Sequence, residues 1–186
     1  MRIISGNFRG KKILEPKDIQ TRPLKDLTKE SIFNILNHSN KFKIDLKSSN
    51  ILDLFSGVGS FGIECLSRGV KNVIFAENYS GVLPILKKNL QSLKSIENYE
   101  IFEKDINSSN FFTSLNTKFD VIFMDPPYKD KNLNLLLDKI KDQKILNKKG
   151  ILIVHRHKNE KDIIPKKLDI IEEKEYGLSR IMFISI

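Results

Sequence analysis

The sequence predicts an α/β fold, a mostly parallel sheet with helices on both faces, and three observations predict it. Short apolar runs alternate with amphipathic stretches through the middle of the chain, one apolar run leads directly into a glycine-rich loop and a helix, and another stops abruptly at an acid and two prolines. Strands that alternate with helices favour a parallel sheet, because each crossover helix covers a face that the strands bury on both sides.

In chain order, residues 2–5 and 11–14 have β character and flank Gly6 and Gly10, which predicts a small hairpin. Residues 25–36 read as a helix, with Ile32, Phe33, Ile35 and Leu36 at apolar positions. Strands are expected over 50–54, 72–76, 99–103, 121–124 and 151–155. Helices are expected over 59–67, 81–93, 107–115 and 133–140. Residues 168–173 and 180–186 should form a last, antiparallel pair around Tyr176 and Gly177. The stretch 41–49 joins an N-terminal appendage (1–40) to a core (50–186), and one domain of 1–186 is expected.

Composition narrows the class. A chain of 186 residues with 40% hydrophobic and 30% charged residues can bury a sizeable core. One cysteine, Cys65, excludes an intrachain disulfide framework and a cysteine-rich metal site, and a reducing cytoplasm is the expected setting. His38, His155 and His157 lack metal-ligand spacing, so no metal is expected and surface or packing roles are assigned to them. The N-terminus has no signal-peptide pattern and no apolar run approaches membrane-spanning length. A net charge of +9 favours a polyanionic partner. Its clustering says more: Arg2, Arg9, Lys11, Lys12, Lys17, Arg22, Lys25 and Lys29 all precede the core, with Phe8 among them, which reads as a nucleic-acid footprint rather than a solvated basic face.

Two motifs carry chemistry. The run Asp125-Pro126-Pro127-Tyr128 follows a buried strand. The lone pair of a nucleobase amine is delocalised into the ring, so a catalyst must hold its N–H groups with fixed acceptors. Asp125 offers a carboxylate and Pro126 a carbonyl; Pro127 stiffens the turn, and Tyr128 offers a face on which an extruded base stacks. The same residues also fit an ordinary strand end with a surface tyrosine. The second motif, Ser56-Gly57-Val58-Gly59-Ser60-Phe61-Gly62, follows the strand 50–54. Glycines at 57, 59 and 62 let backbone approach a nucleotide-like ligand and let the helix pack on its strand. Glu77, at the end of the next strand, is positioned to accept from ribose hydroxyls. Nothing after Glu77 provides for a second nucleotide. Asp53 beside the loop instead suits a cationic ligand such as S-adenosylmethionine, although a loop-bracing acceptor needs the same residue.

The segments RIISGNFRGKKIL (2–14), TRPLKDLTKESIFNIL (21–36), NILDLFSGVGSFGIECLSRG (50–69) and DPPY (125–128) resemble, in order, the bacterial RsmD family of 16S ribosomal RNA guanine-N2 methyltransferases. The glycine loop and the tetrad belong to amino-methyltransferases at large, and the N-terminal segments carry the family-level likeness. The chain departs from the family pattern at Leu24, Lys25 and Leu27, and at Leu178 and Ser179 after the closing Tyr-Gly. The resemblance implies a Rossmann-like class I methyltransferase fold with a C-terminal antiparallel hairpin and a small N-terminal β-hairpin/helix appendage. It implies S-adenosylmethionine as cofactor, Asp105 near the adenine amino group, and Ile106 as an apolar contact. An N-cap explains Asp105 equally well. Phe55 over the cofactor and Asn78 at the ribose edge complete the expected site, although a core phenylalanine at a strand end and an ordinary turn asparagine explain the same residues. Expected partners are 16S rRNA within a small ribosomal subunit or its assembly intermediate, with no membrane, and the chain is expected to be a monomer. A DNA adenine-N6 methyltransferase, a protein glutamine methyltransferase and a noncatalytic RNA-binding assembly factor remain as alternatives.

Overall fold

The computed structural model describes residues 1–16, 24–127 and 132–186. Its elements are α1 (Asp26–His38), β1 (Asn50–Leu54), α2 (Ser60–Ser67), β2 (Asn72–Ala76), α3 (Leu83–Gln91), β3 (Tyr99–Phe102), β4 (Phe119–Met124), α4 (Leu133–Asp142), β5 (Leu146–His157), β6 (Asp169–Tyr176) and β7 (Ser179–Ser185). The strands form one sheet in the order β3-β2-β1-β4-β5-β7-β6. The first five are parallel, and β7 runs antiparallel between β5 and β6. The expected fold class holds.

Alternation along the strands divides the core in two. Ile51, Val73, Phe75, Val121, Phe123, Ile151 and Ile153 point to the face covered by α1, α2 and α3. Leu52, Leu54, Ile74, Ile122, Met124, Leu152 and Val154 point to the face covered by α4 and the segment around Phe111 and Phe112. A strand with period-two side chains buries both faces only when each is covered, so β1 and β2 are apolar nearly throughout. The rings of Phe33, Phe61 and Phe123 stack in series, with centroids 5.3 and 4.2 Å apart, and tie α1 through α2 to β4.

Most elements fall within three residues of their expected bounds, but β5 begins at Leu146, five residues before the expected start, and one helix differs in kind. The helix expected over 107–115 is only a 3₁₀ turn, Phe112–Ser114. Its polar residues bond their own backbone instead: Ser108 Oγ donates to the Asp105 carbonyl, Thr113 Oγ1 to that of Asn110 and Ser114 Oγ to that of Phe111. Short hydroxyl side chains compete with helical pairing in this way, while Phe111 and Phe112 still bury. The expected N-terminal hairpin is present but short: around the antiparallel bridge of Arg2 with Lys12, the Ile3 and Ile13 N–H groups donate to the Lys11 and Met1 carbonyls at 2.9 and 3.1 Å. Beyond it the chain turns onto α2, where the backbone N–H groups of Ile4 and Ser5 donate to the Glu64 carboxylate at 2.7 and 2.9 Å. Gly6 lies so close that an added Cβ would stand 1.8 Å from the Ser67 carbonyl oxygen.

Among the described residues no helix is long and apolar enough to cross a membrane.

Candidate active site at the carboxyl ends of the strands

The order of strands reverses between β1 and β4, and ligands of open α/β sheets bind at such a switch point. Leu54 pairs with Met124, so Phe55, which opens the glycine loop, and Asp125, which opens the Asp-Pro-Pro turn, leave the sheet side by side. Phe55 has φ 57°, a left-handed conformation that costs a non-glycine residue on the order of 1 kcal/mol or more. Gly57 and Gly59 continue the turn at φ 55° and 84°.

Each end of the loop is held by a carboxylate. Glu77 Oε2 accepts the Gly57 N–H at 2.8 Å, while Oε1 accepts those of Asn78 and Tyr79 at 2.9 and 2.8 Å. Asp53 Oδ2 accepts the Gly62 N–H at 2.9 Å. Burial pushes the Asp53 carboxyl well above the usual carboxylate range; the Gly62 N–H pulls it down, and the charges of Asp125 and Glu77 push it further up. The carboxyls of Asp53, Asp125 and Glu77 are close enough to feel one another, and this acidic end of the sheet suits a ligand that carries a cationic group; Ile106 is buried in the core on the α4 face.

Gly62 is required by packing: a Cβ there would lie 2.3 Å from the fully buried Phe75 ring and 3.0 Å from Asp53 Oδ2. Gly62→Ala is expected to lose about 1–3 kcal/mol of stability, as overpacked cores do, and to weaken ligand binding by displacing Asp53. Denaturant titration checks the first effect, and an unchanged midpoint would mean that Phe75 moves aside.

Asp105 is exposed and its carboxylate accepts the Asn107 N–H at 2.9 Å, so it caps the turn that follows β3. Asn78 is exposed beside Glu77. Pro126 is buried and Pro127 exposed. Tyr128, Lys17 and Arg22 lie outside the described residues.

The basic appendage divides in two. Arg9, Lys12 and Lys25 are exposed; Arg2 is exposed with Nε 3.8 Å from Asp26 Oδ2; Lys11 bonds the Ser92 carbonyl and stands over the Phe8 ring. Lys29 does not belong to this face. It is fully buried, and its Nζ donates to the Arg2 carbonyl at 2.7 Å and lies 3.8 Å from Glu64 Oε2. Its helical position beside Ile32, Phe33 and Leu36 explains why. Burial lowers its pKa, a shift opposed by the charges of Glu64 and Asp26.

Two site neighbours carry no motif. His155 Nδ1 lies 2.9 Å from Asp125 Oδ1, and Arg156 Nη1 donates to the Pro127 carbonyl at 3.1 Å. The register Met124 to Val154 is the signal that places them there, because β4 and β5 end together.

A glycine loop and an Asp-Pro-Pro turn at the switch point of this sheet define a Rossmann-like class I methyltransferase that uses S-adenosylmethionine. The family model described as Conserved hypothetical protein 95 matches residues 1–185, and the chain belongs to that family, the RsmD family. A putative rRNA methyltransferase of Bacillus subtilis is 32% identical over 184 residues, covering 97% of this chain and 96% of its own. The ribosomal RNA small subunit methyltransferase D of Haemophilus influenzae is 33% identical over 181 residues, covering 96% and 90%. The solved structure of a putative methyltransferase from Escherichia coli superposes with a TM-score of 0.81 at 27% identity, covering 99% of this chain and 96% of that one.

Proposed function

We propose that this enzyme methylates the exocyclic N2 of a guanine in 16S ribosomal RNA, acting in the cytoplasm as a monomer on the small subunit or its assembly intermediate. The observation that carries the reading is the pairing of Leu54 with Met124, from which Asp125 and the start of the glycine loop leave the sheet side by side. The names of the Bacillus and Haemophilus relatives, both rRNA methyltransferases matched along nearly their whole length, support the class of substrate.

In this reading S-adenosylmethionine supplies an electrophilic methyl group on a sulfonium. Asp53 and the glycine loop face its charged end, and Glu77 accepts from its ribose through lone pairs that the Gly57, Asn78 and Tyr79 amides leave over. Phe55, Ile106, Asp105 and Asn78 border the adenosine. The guanine amine donates its hydrogens to the Asp125 carboxylate and the Pro126 carbonyl, which aims its nitrogen and stabilises positive charge as the new bond forms; the proton then leaves to solvent. Tyr128 stacks on the extruded base. Orientation and fixed electrostatics supply the acceleration. Arg2, Arg9, Lys11, Lys12, Arg22 and Lys25 contact the RNA backbone.

The test is mass spectrometry of 16S rRNA nucleosides from a strain lacking the gene and from the same strain complemented. One N2-methylguanosine should vanish and return. Unchanged 16S methylation, with a methyl group lost instead from DNA adenine or a protein glutamine, would overturn the reading.

A further inference from the structure

We propose that His155 and Arg156 are positioning residues for methyl transfer, gripping the catalytic turn from the end of β5, His155 at the Asp125 carboxylate and Arg156 at the Pro127 carbonyl. The proposal rests on the reading of Asp125 given above.

Both side chains are held on their far sides. His155 is 6% exposed, and its Nε2 pairs with Ser179 Oγ on β7 at 2.9 Å. A neutral ring that accepts from Ser179 Oγ at Nε2 carries its hydrogen on Nδ1, the nitrogen that stands 2.9 Å from Asp125 Oδ1, and the clamp uses this tautomer. That approach is off the N–H direction, so the pair is in contact without an aligned hydrogen bond. In the clamp this contact tightens into an aligned hydrogen bond when substrate enters, as catalytic contacts commonly do. His155 thereby takes one oxygen of Asp125 and leaves Oδ2 to receive the amine.

Arg156 is 1% exposed, on the opposite face of β5. Its Nε and Nη2 engage Asp162 at 3.0 and 2.9 Å, which frees Nη1 for the Pro127 carbonyl. Asp162 is held again by Arg180 Nη2 at 2.7 Å, so the guanidinium is fixed between two strands and a carboxylate. A planar fork serves both partners at once, and a lysine ammonium would not. The turn that presents Asp125 and Pro126 is therefore clamped at both ends by consecutive residues.

The experiment measures single-turnover methylation of small ribosomal subunits from the gene-deletion strain, with S-adenosylmethionine affinity measured separately by calorimetry. His155→Phe keeps the ring volume and removes the donor; His155→Asn restores an N–H near the position of Nδ1; Arg156→Lys keeps the charge and breaks the fork. His155→Phe and Arg156→Lys should lower the rate on the order of 10- to 100-fold, the scale of misplacement near 1 Å, with cofactor affinity changed less than about twofold. His155→Asn should recover most of the loss. Rates within twofold of wild type, or a His155→Asn as slow as His155→Phe, would overturn the clamp. Asp125→Ala run alongside separates the two failures: if it too is as fast as wild type, the reading of the turn is wrong, whereas a slow Asp125→Ala beside fast clamp variants rejects the clamp alone. The assay is run on these subunits and on their assembly intermediates, and wild-type enzyme inert toward both overturns the RNA reading and the clamp with it.

Discussion

Asp125→Ala is expected to fold and to bind S-adenosylmethionine, yet to transfer methyl groups about 100-fold more slowly or worse, the usual cost of losing one preorganised electrostatic contact. The carboxylate sits beyond the last residue of β4 with 19% of its side chain exposed, so its removal leaves no cavity in the core. Cofactor binding keeps Asp53, Glu77 and the glycine loop, whose hydrogen bonds involve neither Asp125 nor its turn. Single-turnover kinetics with excess enzyme and saturating cofactor isolate the transfer step. A turnover within a few fold of wild type would remove Asp125 from the mechanism.

What was legible in the sequence is what local pattern encodes. The short, nearly continuous apolar runs of β1 and β2, and the glycines at 57, 59 and 62, have local causes, and their elements appear with the expected bounds or within one residue of them. The segment 107–115 misled because Phe111, Phe112 and Leu115 have helical spacing, while the side chains of Asp105, Ser108 and Ser114 bond nearby backbone groups. His155 and Arg156 were illegible for another reason: their meaning depends on which strand lies beside β5 and in what register, a nonlocal fact. Lys29 was misread as part of a basic cluster because charge was counted along the chain; its place on the buried stripe of α1 was available from helical periodicity.

That buried lysine leads to the largest expected loss of stability. Glu64, fully buried on α2, accepts from three donors, the backbone N–H groups of Ile4 and Ser5 and Arg68 Nε at 2.9 Å, and has the Lys29 ammonium as an ion-pair partner 3.8 Å away. It is the junction by which the N-terminal appendage is fastened to the helix behind the glycine loop. Glu64→Ala would leave an ammonium without its buried countercharge and two backbone donors without an acceptor. Breaking a buried ion pair from one side costs about 3–5 kcal/mol, and each orphaned donor adds to that. Glu64→Gln keeps an acceptor oxygen while losing the charge, so it should fall between the alanine variant and wild type. Denaturant titration gives the ordering, and limited proteolysis gives the location, since the alanine variant should be cut first within residues 1–16 while the sheet persists. A loss below about 1 kcal/mol would show that Lys29 is satisfied by the Arg2 carbonyl and Asp26 without Glu64, and that the appendage is held to α2 mainly by the close approach of Gly6 to Ser67.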